Sequence, residues 1–540
     1  MKAMKGFIFL VAILLGSFAY AGVNLKNGNF YISYTDIVVP GGGKKLEITR
    51  TFNSKATEIG WFGFGWGSEF ETRLELSADG SAIIYEHGTG SKTRFTPKTP
   101  VDALAASKKI VEEMKKKTAL NEKTSSDLVQ KLATNAELRH TYAQNFGVQA
   151  TVAPGSILYT NDRGPQELHV SKEGYRRVHN DGRQDFFNPE GQLTKISDKS
   201  GYTIGFTYKD GKLDSIKDSQ AKQLYFSWYP DGQVKEIWSA GDKKVSYKYL
   251  DQNLIYSKDI EDNTYEYGYD KTHNLTSITY SDKTKQLITY DKALFVASVT
   301  DRTGELTKYE YGADPKNPDD HYWTIVTKPG FDGKPIANRY EYEIKAKPDG
   351  ARFTYRVVTE INGIKTETIY ADNSLPLKIA RGNLVTNFEY NSNGLLTKKS
   401  STKGDFVNIE YDDKINKIKK VVNNEGTTEF EYDARGNLVK AANNHGKTVF
   451  LIYDSKGKIS KMVDQESPTN RRVLAFKYNA LGKPVEIEME KIGKINVAYD
   501  NYGEIKKVDS SAGHQMALQV TQAFQNLLTI VKPAGVNLNM

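Results

Sequence analysis

An aromatic residue returns about every twentieth position over most of this chain, and that rhythm limits what the chain can fold into more than any other feature. The anchors are Phe187, Tyr208, Tyr229, Tyr249, Tyr269, Tyr290 and Tyr311, then Tyr370, Tyr390, Tyr411, Tyr432, Tyr453, Tyr478 and Tyr499. Successive intervals are 21, 21, 20, 20, 21 and 21 in the first run and 20, 21, 21, 21, 25 and 21 in the second. A fixed period of this length marks a repeat architecture, in which each unit buries its apolar face only against its neighbours. The 540 residues therefore read as one long array and not as several ordinary domains in a row.

The unit itself is a hairpin. Ile204, Phe206 and Tyr208 alternate with Gly205 and Thr207, the period-two pattern of a strand with one buried face. After the aromatic comes Asp or Asn and then Gly, as in Tyr432-Asp433-Ala434-Arg435-Gly436-Asn437-Leu438 and Tyr453-Asp454-Ser455-Lys456-Gly457-Lys458-Ile459. The carboxylate accepts from backbone amides of a turn, and the glycine takes positive φ without steric cost. Each hairpin is too small to be stable alone, so the array is cooperative along one dimension. Between Tyr311 and Tyr370 the rhythm loosens around Pro315, Pro318, Pro329, Pro335 and Pro348. Longer hairpins or loops are expected there, with Tyr340 as an irregular anchor.

These repeats resemble the YD repeats of the Rhs family, shared with bacterial insecticidal toxin shells and animal teneurins. The segment before them resembles an N-terminal Rhs domain through Asn27-Gly28-Asn29-Phe30-Tyr31, Tyr34-Thr35-Asp36 with Val39-Pro40-Gly41, Thr49-Arg50-Thr51-Phe52-Asn53-Ser54 and Phe62-Gly63-Phe64-Gly65-Trp66. The resemblance covers roughly residues 23–95 and 165–509. It implies a mainly β fold, a hairpin array winding into a spiral or shell that encloses a toxin or displays surfaces for glycans and receptors. Toxins of the family close the shell with a cleaved Asp-Pro-x-Gly motif. The one Asp-Pro here, Asp314-Pro315, lies mid-array and is followed by Lys316-Asn317, so neither autoproteolysis nor toxin activity is carried over. About thirty strands at roughly 4.8 Å make a ribbon on the order of 145 Å, hence a diameter of roughly 46 Å wound once and half that wound twice. A small or open spiral with a modest lumen is the expectation.

Two segments depart from the β pattern. Over residues 100–147, Val101, Leu104, Val111 and Met114 sit at helical spacing, Thr124-Ser125-Ser126-Asp127 forms a capping box, and Leu128, Leu132, Leu138 and Tyr142 follow with Asn135 as a second cap. This insertion either packs on the end of the shell or binds a partner. Residues 514–531 carry Met516, Val520, Ala523, Phe524, Leu527 and Val531 on one helical face and no charged residue apart from the neutral His514. It lacks the cationic face of a membrane-surface helix, and it is expected to dock on the protein, capping the last repeat or entering the lumen, more than to serve as a docking tail for another protein. The expected organisation is a signal peptide at 1–21, an N-terminal β domain at 22–164 with a helical insertion at about 101–147, the array at 165–512, and a helix and tail at 513–540.

The signal peptide rests on Lys2 and Lys5, an almost wholly apolar stretch over residues 6–18, and Ala19-Tyr20-Ala21 as a small-x-small cleavage site. About nine unbroken apolar residues fall short of the roughly 20 a membrane span requires. The protein is expected to be exported, to the periplasm, the outer surface or the medium, without a transmembrane span. The absence of cysteine excludes disulfides, thiolate metal sites, a cysteine nucleophile and a lipidated cysteine. Hydrophobic residues at 38% and aromatics at 11% exclude a disordered chain. A net charge of +8 over this length is no nucleic-acid footprint.

Chemistry-bearing motifs are sparse. The eight histidines are dispersed and form no zinc-hydrolase spacing. Gly88-Thr89-Gly90-Ser91-Lys92-Thr93 has the wrong glycine spacing for a phosphate loop. Asp319-Asp320-His321, the densest acidic cluster outside the repeats, reads as a surface loop. No catalytic, cofactor or metal residues are assigned. Trp228, Trp238 and Trp323 are candidate ligand contacts, because an indole face stacks on a sugar ring. The functional expectation is a non-enzymatic scaffold binding a cell-surface glycan or an envelope protein. The alternative is a reduced toxin-delivery shell for a separately encoded effector.

Overall fold

The computed structural model describes residues 20–86, 91–161, 164–241, 243–330, 333–467 and 469–531. The signal peptide and the tail after the last helix lie outside these residues, apart from Tyr20 and Ala21. Among the described residues, 33 strands from Ile157–Thr160 to Ile505–Ser510 form one antiparallel sheet in strict sequence order. The protein is mainly β, a continuous hairpin array as the periodicity requires.

Most anchors sit at a bulge, where the register shifts between the anchor and the preceding residue, as at Glu431/Tyr432 and Ile452/Tyr453, whereas Tyr311 pairs in regular register opposite Thr324. The anchor hydroxyl reaches back one hairpin, and Tyr311 does so without a bulge, donating to the Val296 carbonyl at 2.8 Å. Tyr208 donates to the Leu193 carbonyl at 2.9 Å, Tyr249 to Val234 at 2.8 Å, Tyr290 to Leu275 at 3.0 Å and Tyr453 to Leu438 at 2.8 Å. The Asp or Asn that follows builds the turn. Asp433 Oδ1 accepts from the amides of Arg435 and Asn437, and Gly436 has φ +76°.

One anchor moves and one is absent. Trp228, not Tyr229, sits at the bulge of its hairpin, and its indole donates to the Leu213 carbonyl at 2.7 Å. Tyr340 lies mid-strand opposite Thr324 and Thr359, and the bulge of that strand falls at Glu343/Ile344. Strands of 9, 12 and 10 residues, His321–Pro329, Pro335–Ala346 and Arg352–Ile361, make the expected longer hairpins.

The sheet curls around its own N-terminal segment. A four-stranded sheet of Tyr20–Asn24, Asn29–Val38, Glu47–Asn53 and Trp66–Ser68 lies against the aromatic row of the array. Phe70 meets Phe206 with ring centroids 5.4 Å apart, and Lys26 Nζ donates to Thr354 Oγ1 at 2.8 Å. Those two partners are 13 strands apart in the array, about 62 Å on a flat sheet, whereas a ten-residue strand spans only about 34 Å. The array must therefore be strongly curved, with this sheet on its concave side.

At the centre of the packing Arg50 is wholly buried. Its Nε lies 2.7 Å from Asp36 Oδ2, its Nη2 2.7 Å from the hydroxyls of Ser257 and Tyr267, and its guanidinium 4.7 Å from the Trp66 ring centroid. Tyr247 donates to Asp36 Oδ2 at 2.7 Å. The same face of the array is covered further on by the last helix, Gly513–Val531, through Met516, Val520, Ala523 and Leu527 over Ile409, Val421, Leu451 and Leu474. Asn526 donates to Glu466 at 2.8 Å, and Arg472 to Gln519 at 3.1 Å. The helix docks on the inner face of the late repeats, one of the two expected placements.

The array closes on itself. Gly41 and Gly42 donate to the Asn501 carbonyl at 2.6 and 2.8 Å, and Gln220 Nε2 to the Leu481 carbonyl at 3.1 Å. Gln220 and Leu481 sit in turns 23 strands apart, so one winding measures about 110 Å around and about 35 Å across. The 33 strands make roughly one and a half turns, between the two diameters expected.

Residues 100–147 form three helices, α1 Ala103–Lys117, α2 Glu122–Ala133 and α3 Ala136–Phe146. The cap of α2 is Asn121, whose Oδ1 accepts from Thr124 N at 2.8 Å, so the helix begins before the expected capping box. Asn121 already satisfies the first free amides, with Glu122 in the first turn. Asn135 caps α3 as expected, accepting from Leu138 N at 2.9 Å.

Candidate ligand-binding surfaces

The three tryptophans do not converge. Trp228 packs on the inner face against Trp61 and Phe226, at centroid distances of 5.8 and 6.3 Å. Trp238 and Trp323 lie on the outer face, eight strands apart, about 38 Å along the sheet. Trp238 stacks on Tyr225 at 5.8 Å and 21°. Trp323 rests over Gly312, where a Cβ would come within 2.6 Å of the indole, and carries the Arg339 guanidinium 4.3 Å from its centroid.

Around Trp323 the outer face bears an ion network invisible to sequence spacing. His321, Glu341 and Glu343 bring ligand atoms within 4.8 Å of one another, the spacing of a metal site. Two guanidinium groups already hold the carboxylates: Arg339 Nη2 lies 3.0 Å from Glu341, and Arg356 Nη1 2.5 Å from Glu343. A divalent cation would share the site with both, so the set fits an ion-pair network better than a metal centre. The hydrogen bond that His321 donates to Glu341 raises the His321 pKa against the opposing effect of burial. Burial would raise Glu341, but His321 and Arg339 hold it below its ordinary value. Asp320, in the turn before His321, takes up Arg352 at the start of the strand Arg352–Ile361.

A polar cleft of about 740 Å³ is assembled from parts far apart in the chain. Tyr159 comes from the first strand of the array, Phe353 from the long hairpins, and Asn161, Asp372, Asn373, Ser374 and Asn391 from turns. Lys92, Arg94, Lys347 and Arg352 face Glu137, Asp349 and Asp372, a nearly balanced set. The cleft exists because α3 is tied to the array. Asp79 Oδ2 accepts from Arg139 Nη2 and Arg94 Nη2, both at 2.8 Å, while Arg94 Nη1 reaches Asp349 at 2.6 Å. Arg139 is wholly buried and also donates to the carbonyls of Leu132 and Asp349. Gly350 passes so close to Thr134 that a Cβ would lie 2.4 Å from its carbonyl carbon, at φ +81°. The helical insertion is thus packed on the array, one of the two roles expected. Nothing in the periodicity pointed to Tyr159 or Phe353, since neither is an anchor and they are brought together only by curvature.

Residues 21–95 match the family model of a domain of unknown function, DUF6531. No curated protein matches the chain in sequence. Among solved structures the chain is similar to a TcdB2-TccC3-TEV crystal structure, at 10% identity and a TM-score of 0.37 over 96% of this chain. It is also similar to a Tc holotoxin pore of Photorhabdus luminescens, at 9% identity and 0.36 over 89%. The chain spans 29% of the length of each. At these values the architecture rests on the strand pairing itself. No helix among the described residues is long and apolar enough to cross a membrane.

Proposed function

We propose that this protein is an exported, non-enzymatic scaffold whose β-repeat shell binds a glycan segment in the cleft between Tyr159 and Phe353. One observation carries the reading: two half-buried aromatic rings flank a 740 Å³ cleft lined by asparagine, serine and nearly balanced charge. Apolar ring faces with amide and hydroxyl donors suit a polar, largely uncharged ligand such as a neutral oligosaccharide. The competing reading, a shell for a separately encoded effector, has less room. The concave face is occupied over residues 206–296 by the N-terminal sheet and over 407–489 by the last helix.

Screening the folded protein on a neutral-glycan array tests the proposal. Binding that is lost in Tyr159→Ala and Phe353→Ala, with the thermal transition retained, is the expected result. An empty array, or binding indifferent to both changes, would overturn it. Co-purification of a small, protease-protected protein would favour the effector reading.

A further inference from the structure

We propose that the seam where the array closes on itself is a second binding site, for an acidic saccharide bearing uronate or sulfate groups. The closure opens a cleft of about 920 Å³, within the usual size of ligand sites. Its walls come from three stretches: residues 43–45 of the N-terminal segment, the early turns at 200–202 and 219–220, and the late turns at 456–458 and 480–483. Five lysines line it, Lys44, Lys45, Lys456, Lys458 and Lys483, and no carboxylate does among the described residues. The polar cleft at Tyr159 and Phe353 differs in this respect, since its charges nearly cancel.

Neighbouring acids only partly relieve the charge. Lys44 pairs with Asp198, and Lys45 lies 3.2 Å from Glu504. Lys456 and Lys458 face no carboxylate in ion-pair range among the described residues. Burial, and then the charge of Lys458, lower the Lys44 pKa. Like charges gathered in a concave wall raise the local potential and cost stability until an anion enters.

The remaining lining selects among anions. Tyr202 offers a half-buried ring, with its hydroxyl held by Asp218 at 3.0 Å, and Ser200, Ser219 and Gln220 add hydroxyl and amide groups. Ala480 and Leu481 are the apolar lining, too little for an acyl chain. A single aromatic ring is no stacking platform for successive bases. A saccharide with spaced carboxylates or sulfates uses all of these groups. It would also bridge the first and last windings, so binding should stabilise the closed array.

The test uses the full chain with a short oligogalacturonate, a sulfated oligosaccharide, a neutral galactan oligomer and a single-stranded oligonucleotide, each by titration calorimetry at about 50 and about 300 mM salt. At least one acidic oligomer is expected to bind, more weakly at the higher salt, and to raise the thermal transition. K456E/K458E should weaken it about tenfold or more while leaving any binding of the neutral oligomer unchanged. Removing like charges should leave the fold intact, and K456Q/K458Q serves if the reversal unfolds the chain. Failure of both acidic oligomers to bind, binding unchanged in the variants, or tighter binding of the oligonucleotide would each overturn the proposal. Because the cleft at Tyr159 is read by the neutral oligomer and the seam by the acidic ones, either can fail alone.

Discussion

The Tyr432 hydroxyl donates to the carbonyl of Ile418 at 2.8 Å, 14 residues back along the chain. Ile418 is the aliphatic residue just after the preceding bulge, paired with the previous anchor, Tyr411. Each such bond therefore ties one hairpin to the hairpin before it, at the point where the bulge has interrupted the regular ladder. This explains why the period is carried by tyrosine and only occasionally by another aromatic: the ring fills the row and the hydroxyl joins the units.

Replacing Tyr432 by Phe should then keep the packing and lose one link. The expected cost is about 1 kcal/mol. Because the array couples neighbour to neighbour, the loss should be local. Native-state hydrogen exchange should show reduced protection over residues 418–443, with protection over 245–290 unaffected. Uniform loosening of the whole sheet would contradict a nearest-neighbour role.

At Trp228 the indole Nε1 performs the same task toward Leu213. Trp228→Tyr should accordingly be tolerated to within about 1 kcal/mol, whereas Trp228→Phe loses the link and the volume together and should cost more, about 2 kcal/mol. Denaturant titration of the two variants separates the cases. Equal losses would show that the bond contributes nothing there.

The array was legible because its signal is repeated: each of Tyr208, Tyr249 and Tyr453 votes for the same strand and turn, while the bulge between them leaves no mark in the spacing. The anchor of one hairpin lies at Trp228, one residue before Tyr229, because two aromatics stand side by side there and spacing cannot choose between them when both fit the period. The clefts were illegible for a different reason. Tyr159 meets Phe353, and Lys44 meets Lys458, only after the sheet has curled through most of a turn, and curvature is a summed property of many hairpins with no local motif. The closing contact from Gly41 to Asn501 is similarly non-local, although Val39-Pro40-Gly41 itself stood out in the N-terminal segment.

Arg50 and Asp36 pair within the N-terminal sheet and together reach the array at Tyr247, Ser257 and Tyr267. Both side chains are fully buried, and Arg50 has no other carboxylate in ion-pair range among the described residues. Arg50→Met should leave Asp36 uncompensated and cost about 3–5 kcal/mol, with much of that recovered when Asp36→Leu is added. A denaturation series on the single and double variants checks this. If the double variant is no better than the single, the pair is held by its surroundings more than by its charge.

His321 and Glu341, 3.0 Å apart on the outer face, predict a pH window. The His321 pKa is raised from 6.5, so its contribution is complete below 6.5 and is lost as pH rises through the folded value. The Glu341 pKa is lowered from 4.5, so its contribution is complete above 4.5 and is lost as pH falls through the folded value. The pair thus supports the fold most between these limits. The difference in thermal transition between the wild type and His321→Gln should be largest between about pH 4.5 and 6.5 and shrink as pH is raised above that window. A difference independent of pH would show that the imidazole acts only as a packed ring.

Asp79 holds the helical insertion to the array, and two independent measurements follow from its position. Burial alone would raise its carboxyl, but Arg94, the Ser81 hydroxyl and amide, and Arg139 overcome that and hold it at about 2, against an ordinary 3.8. A lowered carboxylate contributes stability above its unfolded pKa and loses it as pH falls through the folded one, about 2 kcal/mol here, lost between about pH 4 and 2. Acid should therefore loosen α1–α3 before it unfolds the repeats, read as early exchange of amides over residues 103–146. Asp79→Asn should reproduce this at neutral pH, because the wholly buried Arg139 would lose its carboxylate and strain the contact at Asp349, at a cost of about 3–5 kcal/mol. The cleft at Tyr159 and Phe353 lies beside that contact, so the same variant should lose glycan binding even where the repeats keep their thermal transition. Retention of both the helical protection and the binding would mean that the apolar contacts of Ile110, Leu132 and Ala143 suffice to hold the insertion in place.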